Sequence, residues 1–275
     1  HLLAYYAYDK TPLNAEVEPI DELSPIWRKE KITFDAAYAG ERMTAYLFRP
    51  KTGKPPYQTV VYFPGASPLF IRWLEGLPYP METEFILSGG RALLFPVYKG
   101  TYNRPRTPSG DWSPESFRHT PMMYRDWIVE IAKDLGRSLD YLETRQDIDP
   151  DKIAYYGVCW GATLGFIMVP VEDRFKAVVL VSGGLPPIDI EVARFIEPAV
   201  LAQAIRTPVL MLNGTDESRF PLRTAQEPAF QFIGTVEEHK RHKLYPAGDE
   251  FYGLFVEEVH QDIIGWLDRY LGPVK

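Results

Sequence analysis

The chain has 275 residues, 45% of them hydrophobic, and 37 acidic against 30 basic side chains give a net charge of −7. One domain with a full core is expected at this length, and the negative charge without long basic runs excludes nucleic acid and anionic membrane surfaces as expected partners. No apolar stretch approaches the roughly 18 residues of a membrane helix. The lone cysteine excludes an internal disulfide and a multi-cysteine metal site. It suits a reducing compartment, so we expect a cytoplasmic protein without a metal or other cofactor.

Short β-rich runs alternate with helical patterns along the chain, which is typical of an α/β protein with parallel βαβ units. The apolar runs VVYF, VVLV and VLML predict strands that are covered on both faces. A long helix is expected at 121–145, a closing helix at about 254–271, and a small cap segment at 185–206. The patterns predict eight strands, at 32–38, 43–50, 58–65, 91–100, 152–158, 176–184, 208–214 and 242–248.

One short motif indicates a catalytic nucleophile. Directly after a predicted strand, residues 157–161 read GVCWG, which is the G-x-S-x-G nucleophile elbow with Cys159 in place of serine. The two glycines leave room for the strained backbone of such a turn, and the N-terminus of the following helix favours a thiolate. We expect the amide of Trp160 to be one oxyanion donor, and the amide of Ala66, after the third predicted strand, to be the second.

Several segments resemble a known superfamily. YYGVCWGATLG, the DIDPDKIAYYG that leads into it, and PVLMLNGTDE followed by YPAGDEFYG resemble the α/β hydrolases, especially their dienelactone-hydrolase-like branch, in which a cysteine nucleophile is known. The resemblance covers essentially the whole chain. It implies an α/β-hydrolase fold with a mostly parallel eight-stranded sheet flanked by helices, and hydrolysis of carboxylic esters, thioesters or lactones. DLGRSLDYLETR and WLDRYLGPVK also resemble hydrolase domains appended to bacterial serine/threonine kinases, which implies a kinase domain in cis.

The catalytic triad implied by this resemblance is incomplete. The family places an acid after strand seven and a histidine after strand eight. Glu217 occupies the acid position, with Asp216 beside it, and either residue can serve. At the histidine position the sequence has Glu250. Of the histidines elsewhere in the chain, His260 on the closing helix is the nearest substitute.

Three interpretations follow from this departure. In the first, a small acyl substrate, apolar or aromatic, is hydrolysed through an acyl-Cys159 intermediate, with Glu250 as base and a second carboxylate to tune it. In the second, the chain is a catalytically impaired or engineered hydrolase homologue that binds a ligand. In the third, the acidic turns hold a hard cation such as Ca²⁺. The carboxylates of that third interpretation belong to Asp216, Glu217, Asp249 and Glu250.

Overall fold

The computed structural model describes residues 2–20, 24–71, 83–105, 121–185 and 197–274. Within these ranges the strands form one nine-stranded sheet in the order β1-β2-β3-β5-β4-β6-β7-β8-β9. The strands are β1 (Glu16–Ile20), β2 (Trp27–Asp35), β3 (Arg42–Pro50), β4 (Tyr57–Phe63), β5 (Ala92–Pro96), β6 (Ile148–Val158), β7 (Phe175–Val181), β8 (Val209–Gly214) and β9 (Lys240–Tyr245).

The two ends of this sheet differ in strand direction. Strands β1, β2, β3 and β5 pair antiparallel, whereas β5, β4, β6, β7, β8 and β9 run parallel to one another. The central strands are buried on both faces, as the apolar runs predict, and Val60, Val179 and Leu212 are fully buried. Because parallel strands share their carboxyl-end edge, the loops after β4, β6, β7, β8 and β9 meet there.

Eight strands match the predicted ones, and β1 corrects the predicted eight-stranded sheet to nine strands within the described residues. The sequence of β1, EVEPI, has no apolar alternation, and four of its five side chains are exposed. Pattern analysis therefore has no signal to detect there. Strand β1 lies at the edge of the sheet beside β2, where a proline such as Pro19 is tolerated.

Helices cover both faces of the sheet. Apolar side chains of α2, α3, α4 and α5 share one core cluster, and those of α1, α6 and α7 share a second cluster on the opposite face. The predicted long helix and closing helix are confirmed to within two residues at their ends. The helices are α1 (Glu84–Ser88), α2 (Pro121–Glu143), α3 (Trp160–Met168), α4 (Pro198–Ala202), α5 (Glu227–Phe232), α6 (Phe251–Leu254) and α7 (Val256–Leu271).

The predicted cap segment falls largely on 186–196, which lie outside the described residues. Its described remainder contains α4, where Leu201 and Ala202 are buried in the core cluster that α3 also joins. None of the helices in the described ranges combines the length and apolarity that a membrane crossing requires.

Candidate active site

Cys159 lies in the turn between β6 and α3, in a backbone conformation that few non-glycine residues adopt. Its φ is 51° and its ψ is −103°. The Cys159 amide donates to the carbonyl of Val181 at 2.8 Å, and its carbonyl accepts the amide of Thr163 at 2.9 Å. A non-glycine residue in such a region costs about 1–3 kcal/mol. The bonds to β7 and α3 hold the turn in this strained geometry, with the half-buried Cys159 side chain at the end of the strand.

Glycines let three elements approach the cysteine closely. A Cβ atom at Gly157 would lie 2.5 Å from the carbonyl oxygen of Gly161, and one at Gly161 would lie 2.2 Å from that of Phe63. A Cβ at Gly65 would lie 3.6 Å from the Cβ of Cys159, so the loop after β4 also borders the turn. Larger residues at 157 or 161 would push the strand, the helix and this loop apart.

The two predicted oxyanion donors belong to the elbow itself and to the loop after β4. Ala66 follows β4 in a loop that touches the elbow, since the carbonyl of Pro64 accepts the Gly161 amide at 3.0 Å. Trp160 is the first residue of α3, and its ring packs edge-on against Phe63 with centroids 5.1 Å apart. Within the described ranges, neither the Trp160 amide nor the Ala66 amide donates to a backbone carbonyl. Both amides are available as donors.

A pocket of about 380 Å³ opens beside Cys159. It lies at the carboxyl-end edge of β6, β7, β8 and β9, where α/β sheets commonly bind ligands. Its lining comes from the four loops that follow these strands, and it combines apolar, acidic and basic side chains. The lining residues are Val158, Cys159, Val181, Ser182, Glu217, Arg219, Phe220, Asp249 and Tyr252.

An arginine contacts the cysteine sulfur. Nη1 of Arg219 lies 3.3 Å from Sγ of Cys159 and donates a hydrogen bond to it. This bond raises the pKa of Arg219 above its ordinary value, so the guanidinium stays charged. The elbow therefore presents a sulfur with a positive charge at hydrogen-bonding distance.

The two predicted acids have different surroundings. Glu217 is only 3% exposed, and its Oε1 accepts the Gly214 amide at 2.8 Å and the Asn213 side chain at 3.2 Å. Burial raises the pKa of Glu217, and these hydrogen bonds oppose that increase. Asp216 is exposed, is not among the pocket-lining residues, and accepts a bond from the Thr215 hydroxyl at 2.9 Å. The structure brings Glu217, and not Asp216, to the pocket.

The turn after β9 presents a different acid from the predicted one. Glu250 is exposed and its Oε1 accepts the amide of Gly248 at 3.2 Å, so its carboxylate folds back on its own turn and is not among the lining residues. Asp249 lines the pocket instead. Asp249 accepts bonds from the amide and hydroxyl of Ser218, and these bonds lower its pKa. Asp249 is therefore an ionised acceptor at neutral pH.

The described histidines lie outside the pocket lining. His242, on β9, is 3.2 Å through Nε2 from Oδ1 of Asn213, and burial lowers its pKa to about 4. His260, on α7, is 3.0 Å through Nε2 from the hydroxyl of Tyr252, and burial lowers its pKa as well. His239 pairs with Tyr270 near the other end of α7. His260 is thus one side chain away from the pocket.

Sequence reasoning missed Ser182, which directly follows β7. It also missed Arg219 and Tyr252, and it named Asp249 only as a candidate cation ligand. Each of the last three lies within two residues of a position that the sequence did single out, Glu217 or Glu250. That proximity is a signal, but only the conformation of the loop decides which neighbour faces the pocket.

The cation interpretation has no geometric support in the described residues. No group of three or more histidine, cysteine, aspartate or glutamate side chains in those ranges is arranged to hold a metal ion. The four acidic side chains of the two turns instead bind to backbone amides, hydroxyls and the Asn213 amide.

Comparisons with known proteins agree with this geometry. The sequence profile of the dienelactone hydrolase family matches residues 80–248. Over 178 residues the chain is 24% identical to a human carboxymethylenebutenolidase homolog, an alignment that covers 61% of this chain and 66% of that protein. Over 185 residues it is 25% identical to the putative hydrolase YtaP of Bacillus subtilis strain 168, covering 62% of this chain and 58% of that protein. The chain thus spans less than two thirds of each of these relatives.

Among solved structures, the acetyl xylan esterase from Paenibacillus sp. R4 superposes with a TM-score of 0.70 and 20% identity, covering 98% of this chain and 92% of the esterase. At this identity the likeness shows a shared fold. The architecture is that of the α/β hydrolases, as the resemblance of the sequence implies.

Proposed function

The chain belongs to the dienelactone hydrolase family, and on that premise we propose that it hydrolyses carboxylic esters, thioesters or lactones through an acyl-enzyme on Cys159. One observation carries the proposal: a cysteine with φ 51° at the end of β6 has the Nη1 of Arg219 3.3 Å from its sulfur. The guanidinium and the N-terminus of α3 both stabilise negative charge on the sulfur, which supports Cys159 as the attacking group.

In the proposed reaction, the Cys159 sulfur attacks the carbonyl carbon and a C–S bond forms. The amides of Trp160 and Ala66 hold the negative oxygen of the tetrahedral adduct. The adduct expels the alcohol and leaves a thioester on Cys159. Water then attacks the thioester, the C–S bond breaks, and the carboxylic acid leaves with the thiolate restored.

Glu217, Asp216 and Glu250 enter this proposal with different support. Glu217 lines the pocket and accepts hydrogen bonds from Asn213 and Gly214, which supports it as the acid of the proposal. Glu250 can act as the base only if its carboxylate leaves the Gly248 amide and turns into the pocket. Its role as base stays a prediction, as does that of Asp216 as the acid.

The size and lining of the pocket suit the binding of a small acyl group from the substrate. Val158, Val181 and Phe220 give its described wall an apolar surface, and a volume of about 380 Å³ suits a small ligand. We therefore propose that the acyl group of the substrate is apolar or aromatic. The kinase domain in cis stays a prediction from the resemblance alone.

The test uses the single cysteine of the chain. Parent and Cys159→Ala proteins are mixed with p-nitrophenyl acetate, and acid-quenched samples are weighed by intact-protein mass spectrometry. We expect turnover by the parent, together with one added acetyl group that hydroxylamine removes. The Cys159→Ala variant should show neither, and its thermal melt checks that it remains folded.

The opposite result favours another function. If parent and Cys159→Ala release p-nitrophenol equally and the parent carries no acetyl group, the acyl-enzyme is excluded. The chain would then be an impaired hydrolase homologue that binds a ligand, and ligand-dependent stabilisation without turnover would identify what it binds.

A further inference from the structure

Expulsion of an alcohol from the tetrahedral adduct requires a proton, and a thiolate nucleophile brings none. This inference rests on the acyl-enzyme proposed above. A thiol ionises near pH 8.5, far more easily than an alkyl alcohol, so the adduct expels the sulfur again unless the departing oxygen is protonated. In serine hydrolases a histidine supplies this proton. No histidine belongs to the described lining of this pocket, but other side chains of that lining carry protons on oxygen or nitrogen.

The acids that line the pocket are poorly suited to this task. Asp249 is ionised at neutral pH, because the bonds from Ser218 lower its pKa, and a carboxylate is only an acceptor. Glu217 is 3% exposed, and its Oε1 is bonded to the Gly214 amide and the Asn213 side chain. Burial raises the pKa of Glu217, but these bonds oppose that increase and hold its Oε1 against the turn after β8.

Tyr252 is a protic group of the lining that has a partner behind it. It follows β9 on α6 and lines the same pocket as Cys159. Its hydroxyl lies 3.0 Å from Nε2 of His260. The His260 ring stacks on Phe85 with centroids 3.8 Å apart and an interplanar angle of 10°, which fixes its orientation. Burial lowers the pKa of His260, so the imidazole is neutral at neutral pH.

We propose that Tyr252 is the general acid that protonates the departing alcohol and that His260 positions the Tyr252 hydroxyl. As the C–O bond to the alcohol breaks, its electron pair takes the phenolic proton, and the alcohol leaves neutral. The Nε2–H of His260 donates to the tyrosinate oxygen that remains. When water attacks the thioester, the tyrosinate accepts the water proton, and the phenol and the thiolate are both restored.

This assignment predicts which esters the site can cleave. A methyl or ethyl ester releases a strongly basic alkoxide and needs Tyr252, whereas p-nitrophenolate is stable at neutral pH and leaves without protonation. With Tyr252 as the acid, the site can cleave esters of alkyl alcohols as well as aryl esters. The value of kcat/KM reports the steps up to release of the alcohol, so it isolates this effect from hydrolysis of the common acetyl-enzyme.

The experiment compares methyl acetate, followed by release of acid, with p-nitrophenyl acetate in parent, Tyr252→Phe and His260→Gln proteins. We expect Tyr252→Phe to lower kcat/KM for methyl acetate roughly 100-fold, as is typical for loss of a general acid, and to lower the value for p-nitrophenyl acetate by a much smaller factor. His260→Gln should lower the methyl ester value about tenfold with the same selectivity, because it acts through Tyr252. Tyr270→Phe removes the matched hydroxyl of the His239 pair and should change neither substrate.

The possible results separate this inference from the proposed function. Equal losses on both esters, or no loss on either, would overturn the role of Tyr252 while Cys159-dependent turnover of p-nitrophenyl acetate still stands. A selective loss in Tyr252→Phe without one in His260→Gln would overturn the role of His260. Absence of Cys159-dependent turnover of p-nitrophenyl acetate by the parent would overturn both proposals together.

Discussion

The turn that carries Cys159 and the two acidic turns beside it are built in different ways. The elbow after β6 is fixed by main chain: a φ of 51°, an amide bond to Val181, and two glycines whose Cβ atoms would strike backbone oxygens. The turns after β8 and β9 are fixed by side chains. Glu217 bonds to the Gly214 amide, and Asp249 bonds to Ser218 of the opposite turn. The position of Cys159 is therefore set by backbone contacts, whereas the identity of the groups facing it depends on local hydrogen bonds.

This difference predicts that the two kinds of turn tolerate different substitutions. A substitution in the elbow must preserve the backbone path, so few residue types fit. The side chain at position 250 is exposed and bonds to the Gly248 amide of its own turn, so a change there should leave the strand in place. Four variants, at Gly161, His242, Arg219 and Glu250, test this contrast, with expected effects that decrease in that order.

The largest effect is expected from Gly161→Ala, because the new Cβ would lie 2.2 Å from the Phe63 carbonyl oxygen. We expect the free energy of unfolding to fall by about 3 kcal/mol or more, measured by urea denaturation. Gly265→Ala is the matched control, since nothing lies within 4 Å of its Cβ position in α7. It should gain up to about 1 kcal/mol from helix propensity. Parent-like stability of Gly161→Ala would show that the elbow is less constrained than its backbone implies.

The same contrast decides how much the sequence predicts. The elbow follows from GVCWG, because glycine spacing reports backbone sterics directly, and eight strands follow from apolar runs. Strand β1 could not be predicted in this way, because its exposed sequence EVEPI carries no apolar pattern. The sequence also does not predict that Asp249 lines the pocket in place of Glu250. The two acids are adjacent, and Asp249 is the one that accepts hydrogen bonds from Ser218. Arg219 reaches the sulfur across 60 residues, a contact that no local pattern encodes.

The second effect is the pH dependence of the free energy of unfolding, which we expect His242 on β9 to influence. Burial holds the pKa of His242 at about 4, below the ordinary value of 6.5. Between these values the unfolded chain binds more protons, so the free energy of unfolding falls as the pH drops from about 6.5 towards 4. Between pH 7 and pH 4.5 we expect His242→Gln to lose less unfolding free energy than the parent, by on the order of 2 kcal/mol. This value allows for the partial exposure of the imidazole. Urea titrations at pH 7 and pH 4.5 measure this difference.

His239→Gln is the control for that measurement, because His239 is exposed in 42% of its side chain and pairs with Tyr270 away from the acidic turns. Its pH dependence should match that of the parent. Equal pH dependence in His242→Gln and the parent would mean that other groups cause the acid sensitivity.

The third variant tests whether the reactivity of the Cys159 sulfur comes from the neighbouring charge or from the backbone of the elbow. Arg219→Ala removes the guanidinium that donates to Sγ and leaves the elbow intact. We expect the rate of Cys159 alkylation by iodoacetamide at pH 7 to fall by roughly three- to tenfold, a modest factor because solvent screens an exposed cation. Arg223→Ala, an exposed arginine on the turn that follows, is the matched control and should react like the parent. An unchanged rate in Arg219→Ala would assign the sulfur's reactivity to the elbow and helix alone.

The smallest effect is expected at Glu250, the residue that the sequence resemblance aligns with the base. Its carboxylate is exposed and bonded to the Gly248 amide, so Glu250→Gln should change kcat/KM for p-nitrophenyl acetate by no more than about twofold, as for ordinary surface substitutions. Glu250→Asp, which shortens the arm but keeps the charge, controls for the local bond. A tenfold or larger loss in Glu250→Gln, without one in Glu250→Asp, would mean that the carboxylate turns into the pocket during the reaction. The acidic turn would then be a switchable part of the site, and the base that the sequence indicates would be identified.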